Sequence, residues 1–226
     1  MQKFSDVPLN NEWLGASEKT FLNNLKFPKR RNDWRLGRWT AKCALSACLE
    51  KSHRINKLNE IEIIAGEDGA PEAFLNTKPC EYNISISHRE GIGFCAIVPA
   101  TFEIGCDLEM IEPRTLEFIS DYFITDENKL IDNSQPEERP LLANLIWSAK
   151  ESAMKLLREG LRIDTRSVIV NLPEKKNIEE WQPLSVLHTS TNQNFLGWWR
   201  DDKGYVLTIV ADPPPEVPIE LNITPS

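Results

Sequence analysis

Two four-residue stretches, Trp39-Thr40-Ala41-Lys42 and Trp147-Ser148-Ala149-Lys150, repeat one pattern about half a chain apart. Each sits in a segment of helical periodicity. Around the first, Trp39, Ala41, Leu45, Cys48 and Leu49 recur at helical spacing over residues 32–51, with basic residues on much of the other face. Around the second, Leu142, Ile146, Ala149, Ala153, Leu156 and Leu157 form a stripe from about Pro140 to Arg158, and Gly160 is suited to a left-handed cap. Leu49 then matches Leu157, and Gly91–Val98 resembles Lys203–Val210 at nearly the same offset. Matches this short also arise by chance, so duplication and coincidence both stay open on the residues alone. A duplicated chain would still have unequal halves. The positions that match Glu151 and Lys155 are Cys43 and Ala47, which supply neither charge, so one site per chain follows.

The strand signals fit between and after these helices. Glu60–Ala65 predicts a short strand, followed by a turn at Gly66-Glu67-Asp68-Gly69-Ala70-Pro71. Asn83–Ser87 and Gly93–Val98 predict strands around the Arg89-Glu90-Gly91 turn, and Phe102–Leu108 predicts another before Pro113. Val168–Leu172 and Tyr205–Val210 complete the set. From Pro213 the prolines predict an extended tail.

Composition narrows the class of molecule. The 226 residues are enough for one large domain or two small halves with a substantial core. A net charge of −8 argues against a general nucleic-acid binder but leaves room for a local basic pocket. The five cysteines are odd in number and lack C-x-x-C spacing, which fits small buried residues in a reducing compartment. No secretory signal and no bilayer-spanning apolar run are visible, so the sequence predicts a cytoplasmic protein without membrane contact.

Four short elements carry the chemistry. In Glu103-Ile104-Gly105-Cys106-Asp107-Leu108-Glu109 the strand period places Asp107 and Glu109 on one face. Two adjacent carboxylates repel unless a cation lies between them, and oxygen-only ligands favour a hard ion such as magnesium. A solvated acidic edge strand explains the same pattern. Glu151 and Lys155, four apart on a helix, share a face; a surface pair of this kind is routine, but Trp147 one turn earlier predicts that the face packs. His88 ends a strand after Ser87, where it can reach a phosphate or simply hydrogen-bond locally. Lys26, Lys29, Arg30, Arg31, Arg35, Arg38 and Lys42 are opposed within their stretch only by Asp33. That field fits a grip on several phosphates of one ligand, or a solvated helix face.

In this order the segments resemble the 4′-phosphopantetheinyl transferases, specifically the larger class that activates peptide and polyketide synthetases. The resemblance rests on Gly37-Arg38-Trp39-Thr40-Ala41-Lys42, Gly69-Ala70-Pro71, Ser87-His88, Ile104-Gly105-Cys106-Asp107-Leu108-Glu109 and Trp147 through Lys155. It covers about residues 29–170. It implies an α/β (α+β) fold, a pseudo-dimer of two similar halves, each a small sheet on a long helix, with a single active site in the cleft between them. The halves would be residues 1–103, gripping coenzyme A, and 104–212, bearing the acids, with a Pro-rich tail at 213–226.

The implied reaction moves the phosphopantetheine arm of coenzyme A to a serine of an apo acyl or peptidyl carrier protein, leaving adenosine 3′,5′-bisphosphate. By the resemblance, Asp107, Glu109 and Glu151 hold Mg²⁺, Glu151 accepts the serine proton and Lys155 serves the departing phosphate. Arg31, Arg38, Lys42, Ser87 and His88, with Asp107 and Lys155, bind coenzyme A. Ala70 stands where some relatives carry Lys or Arg, which removes one contact. Leu116–Phe123, with Phe118, Tyr122 and Phe123, is the expected carrier contact. A monomer is the simplest expectation. A magnesium-dependent nuclease and a non-catalytic coenzyme A or carrier binder are the rival readings.

Overall fold

The computed structural model describes residues 1–49, 57–173, 180–221 and 223; positions 50 and 51 of the first expected helix and most of the end of the tail lie outside them. The fold is α+β and divides into two compact units. One comprises Met1–Phe102 with the described residues from Ile219 onward, the other Glu103–Pro218.

In the first unit the elements are β1 (Gln2–Lys3), α1 (Ala16–Asn24), α2 (Pro28–Leu49), β2 (Ile61–Ala65), β3 (Pro71–Leu75), β4 (Lys78–Pro79), β5 (Tyr82–Arg89) and β6 (Ile92–Pro99). They build two three-stranded antiparallel sheets, β1-β6-β5 and β2-β3-β4. Helix α2 crosses the first sheet closely because Gly93 has no side chain; a Cβ there would overlap the Thr40 hydroxyl. Leu45, Leu49, Ile61, Ile63 and Ile84 close one core cluster, and Trp13, Leu14, Leu36 and Trp39 another.

The second unit contains β7 (Glu103–Met110), α3 (Leu116–Tyr122), α4 (Thr125–Asn133), α5 (Arg139–Leu156), β8 (Val168–Asn171), β9 (Gln182–His188), β10 (Gln193–Asp202) and β11 (Tyr205–Asp212). Its antiparallel sheet runs β7-β11-β10-β9-β8, and α5 packs on it through Leu145, Ile146, Ala149, Ala153 and Leu156. Pro140 opens the helix where a backbone donor is not needed. The left-handed reversal falls on Arg158 (φ 57°) before Gly160 (φ 54°). In the tail, Pro215 O accepts a hydrogen bond from Trp198 Nε1 at 3.1 Å.

The two units share details beyond the sequence repeat. Each has a hairpin closed by a two-residue loop with both residues at positive φ, Glu90-Gly91 in one and Lys203-Gly204 in the other. That is the type I′ geometry that matches strand twist. Each also buries one ion pair. Lys42 Nζ, fully buried, pairs with Glu18, which sits in the first turn of α1, accepts the Gly15 amide at 2.9 Å and takes the Ile63 amide of β2 at 3.0 Å. Lys150 Nζ, equally buried, lies 3.0 Å from Glu127, which accepts the Ile124 amide before α4 and the Val170 amide of β8, both at 3.0 Å. The remaining ammonium protons go to carbonyls: Trp13 and Leu58 for Lys42, Thr165 and Val168 for Lys150. A charge without water needs this degree of satisfaction.

Among the described residues no helix is long and apolar enough to cross a membrane.

Candidate functional site

Strand alternation sends Gly105, Asp107 and Glu109 of β7 toward α5. Gly105 is what lets the helix come down: a Cβ at this position would overlap the Ser152 carbonyl oxygen. With the helix backbone seated there, Lys155 Nζ reaches Asp107 Oδ1 at 2.8 Å and the Cys106 carbonyl at 3.0 Å. At the other end of the strand, Trp147 Nε1 donates to Glu109 Oε1 at 3.2 Å. The Trp147-to-Lys155 spacing thus spans the Glu109-to-Asp107 spacing. A hydroxyl cluster holds the register: Thr208, paired with Asp107 across β11, lies 2.8 Å from Ser148 Oγ and 2.7 Å from Ser152 Oγ.

Glu151 stands between these contacts on the half-buried side of α5. Burial pushes its carboxyl up to about 7; the Asp107 charge adds to this, Lys155 opposes it, and Glu109 adds a smaller push. Lys155 is raised as well, for a different reason. Burial alone lowers its affinity for a proton, but Asp107, Cys106 and Glu151 outweigh that and raise it, so it stays cationic. The expected set of Asp107, Glu109, Glu151 and Lys155 is therefore brought together on β7 and α5 of one unit.

The donor chemistry fits a hard cation that substrate and water help to hold. Among the described residues no group of three acidic, histidine or cysteine side chains is close enough to cage an ion unaided. Magnesium rarely requires such a cage; it is commonly bound by one or two carboxylates and completed by water and substrate phosphates. Carboxylate oxygens suit that mode, and the Asp107 and Glu109 charges both push the Glu151 carboxyl up.

The first unit supplies a concave site of about 530 Å³, lined by Phe27, Lys29, Arg30, Asp33, Trp34, Gly37, Arg38, Gly69, Pro71, Ile86 and His88. Its size is that of a small-ligand cleft. Arg38 lies over the Trp34 ring at 5.0 Å and donates from Nε to Ile63 O at 3.0 Å. His88 projects into the cleft with Ile86, two residues back on the same face of β5, so Ser87 takes the other face and is buried.

Two expected phosphate contacts have other places. Lys42 is the buried partner of Glu18. Arg31 caps the end of α1, donating from Nη1 to Leu22 O at 2.7 Å and Leu25 O at 3.1 Å, where a cation suits the helix dipole. Its neighbour Arg30 lines the cleft instead. The expected carrier contact also changes, because Phe123 is core (2% exposed). Phe118 and Tyr122 pack their rings on Trp147, at 5.0 and 5.1 Å, and Leu116 remains 80% exposed. Sequence reasoning did not single out Arg114, Asn144 or Thr208. Arg114 could have drawn notice as a cation five residues after Glu109; Asn144 and Thr208 carry no local signal.

Residues 103–210 match the family model described as the 4'-phosphopantetheinyl transferase superfamily. The 4'-phosphopantetheinyl transferase AcpT of Escherichia coli (strain K12) is 32% identical over 120 residues, 52% of this chain and 56% of that protein. The Salmonella typhimurium protein of the same name is 28% identical over 155 residues, 68% of this chain and 72% of its own. The match thus spans little more than half the length of the Escherichia coli relative.

Proposed function

We propose that the chain, whose residues 103–210 match the 4′-phosphopantetheinyl transferase superfamily, belongs to that superfamily and transfers the phosphopantetheine arm of coenzyme A to a serine of an apo carrier protein. The observation that carries this reading is the seating of α5 on Gly105, which aligns Lys155 with Asp107 and Trp147 with Glu109.

In the proposed step the serine oxygen bonds to the pyrophosphate phosphorus that bears the pantetheine arm. The bond from that phosphorus to the bridging oxygen breaks, and adenosine 3′,5′-bisphosphate leaves. Glu151, the acid of α5 beside Asp107 and Lys155, is placed to accept the serine proton. Lys155, kept cationic, stabilises or protonates the phosphate that departs. Asp107, with Glu109 and Glu151, would hold Mg²⁺, which when bound supplies neutralisation of the pyrophosphate charge. Lys29, Arg30, Arg38 and His88 hold the phosphates of coenzyme A, and Trp34 offers an aromatic wall. The exposed Leu116 and the edge of Tyr122 form the carrier contact.

The test is an apo-carrier panel with coenzyme A and Mg²⁺, read by mass spectrometry for addition of one phosphopantetheine. Glu151→Gln should retain coenzyme A binding and lose about 10²–10⁴-fold in turnover, the usual contribution of a positioned base. In the same assay Leu116→Asp should raise the carrier KM and leave that for coenzyme A unchanged. No mass gain on any carrier, or full activity in Glu151→Gln, overturns the assignment.

A further inference from the structure

Glu109 is gripped from two sides. Trp147 Nε1 holds Oε1, and Arg114 Nη2 donates to Oε2 at 2.9 Å. Arg114 comes from the short connection between β7 and α3 and is itself held. Its Nε donates to Asn144 Oδ1 at 2.7 Å, and its guanidinium lies over the Phe118 ring at 4.8 Å. Asn144, on α5, is fully buried, and both of its amide protons are assigned: Nδ2 donates to Glu112 O and Pro140 O, each at 2.7 Å. Two carbonyl acceptors on one side leave only the amide oxygen for Arg114, so the orientation of the amide is fixed by its neighbours.

This arrangement differs from a surface ion pair. Arg114 and Glu109 side chains are only 14% and 13% exposed. The guanidinium donates from two nitrogens at fixed angles to two different partners, which a single lysine ammonium does not reproduce. A carboxylate offers about four lone-pair directions. The Trp147 and Arg114 bonds hold the two oxygens from different sides and so set the heading of the carboxylate.

We propose that Arg114, braced by Asn144, is a positioning residue that locks the Glu109 carboxylate so that it presents a pre-set edge to a divalent cation beside Asp107. The inference rests on the reading that Glu109 faces such a cation. Arg114 touches neither substrate nor cation; it acts through Glu109. Residues that orient a ligand in this way are typically worth about 10–100-fold in metal affinity.

The experiment measures Mn²⁺ binding to the full chain by the electron paramagnetic resonance signal of the free ion, without substrate. Arg114→Gln and Arg114→Lys should each weaken binding by about 10–100-fold. The lysine variant keeps the charge and much of the aliphatic stem against Phe118, so it carries the test if the glutamine variant unfolds. In a Glu109→Gln background, Arg114→Gln should cause no further loss. Wild-type affinity in Arg114→Lys, tighter binding in Arg114→Gln, or an equal loss in the Glu109→Gln background overturns the inference alone. A wild-type chain that binds no Mn²⁺ overturns the cation reading and the inference with it.

Discussion

Lys42 shows how far a single residue's role can depend on a partner distant in sequence. By local pattern it belongs to a basic helix face, and a phosphate contact is the natural expectation. In the fold its ammonium is buried against Glu18, a residue of the preceding helix. Removing one member of a buried pair leaves the other charge unpaired, at a cost of about 3–5 kcal/mol. Lys42→Ala should therefore lower the unfolding free energy by about that amount in urea denaturation, whereas a lysine serving only a ligand would leave stability almost unchanged. Lys42→Met should cost less when combined with Glu18→Leu than the sum of the single changes. Spacing did put Asp107 with Glu109, and Glu151 with Lys155, on shared faces, because each pair is fixed by the period of its own element; a solvated acidic strand and a surface ion pair fit the same spacing. It could not choose between Arg30 and Arg31, since adjacent helical residues differ by about 100° in direction, and only the position of α1 decides which one caps it.

At the scale of elements, α5 is held to the sheet by a close backbone approach at Gly105 and by three hydroxyls in a buried cluster. Thr208 has no exposure, and its hydroxyl meets both Ser148 and Ser152. Thr208→Val keeps the volume and removes the partner, leaving two serine hydroxyls to seek other acceptors. The expected cost is about 1–3 kcal/mol in thermal or urea unfolding, accompanied by weaker alignment of Lys155 on Asp107; unchanged stability would show the cluster to be dispensable. The long helices and the β5-β6 and β11 strands were legible because their apolar periodicity is sustained. The strands β9 and β10 were passed over although β9 alternates cleanly in burial from Gln182 to His188. Pro183 and Gly197 disguise them. Gly197 has a packing reason, since a Cβ there would overlap the Ile209 carbonyl oxygen of the neighbouring strand.

At the scale of the whole molecule, the faint repeat in the sequence has structural counterparts in both units: a long helix on an antiparallel hairpin, a type I′ turn, and a buried lysine–glutamate pair that joins a helix start to a strand. The glutamates precede their lysines by 24 and 23 residues, each on a separate helix, and only three-dimensional closure pairs them. What the units do not share is chemistry. One turn after Trp39, where α5 carries Glu151, α2 carries Cys43, a buried thiol pushed up to about 12 by burial and, to a lesser degree, by Asp6. A thiol that stays protonated throughout the working range is a poor ligand for a hard cation. Ala47, at the place of Lys155, offers no charge. Equilibrium titration with Mn²⁺ should therefore saturate at one ion per chain, and Cys43→Ser should leave that stoichiometry unchanged. A second ion of comparable affinity, lost in Cys43→Ser, would show that both units kept a metal site and would place the division of labour between them elsewhere.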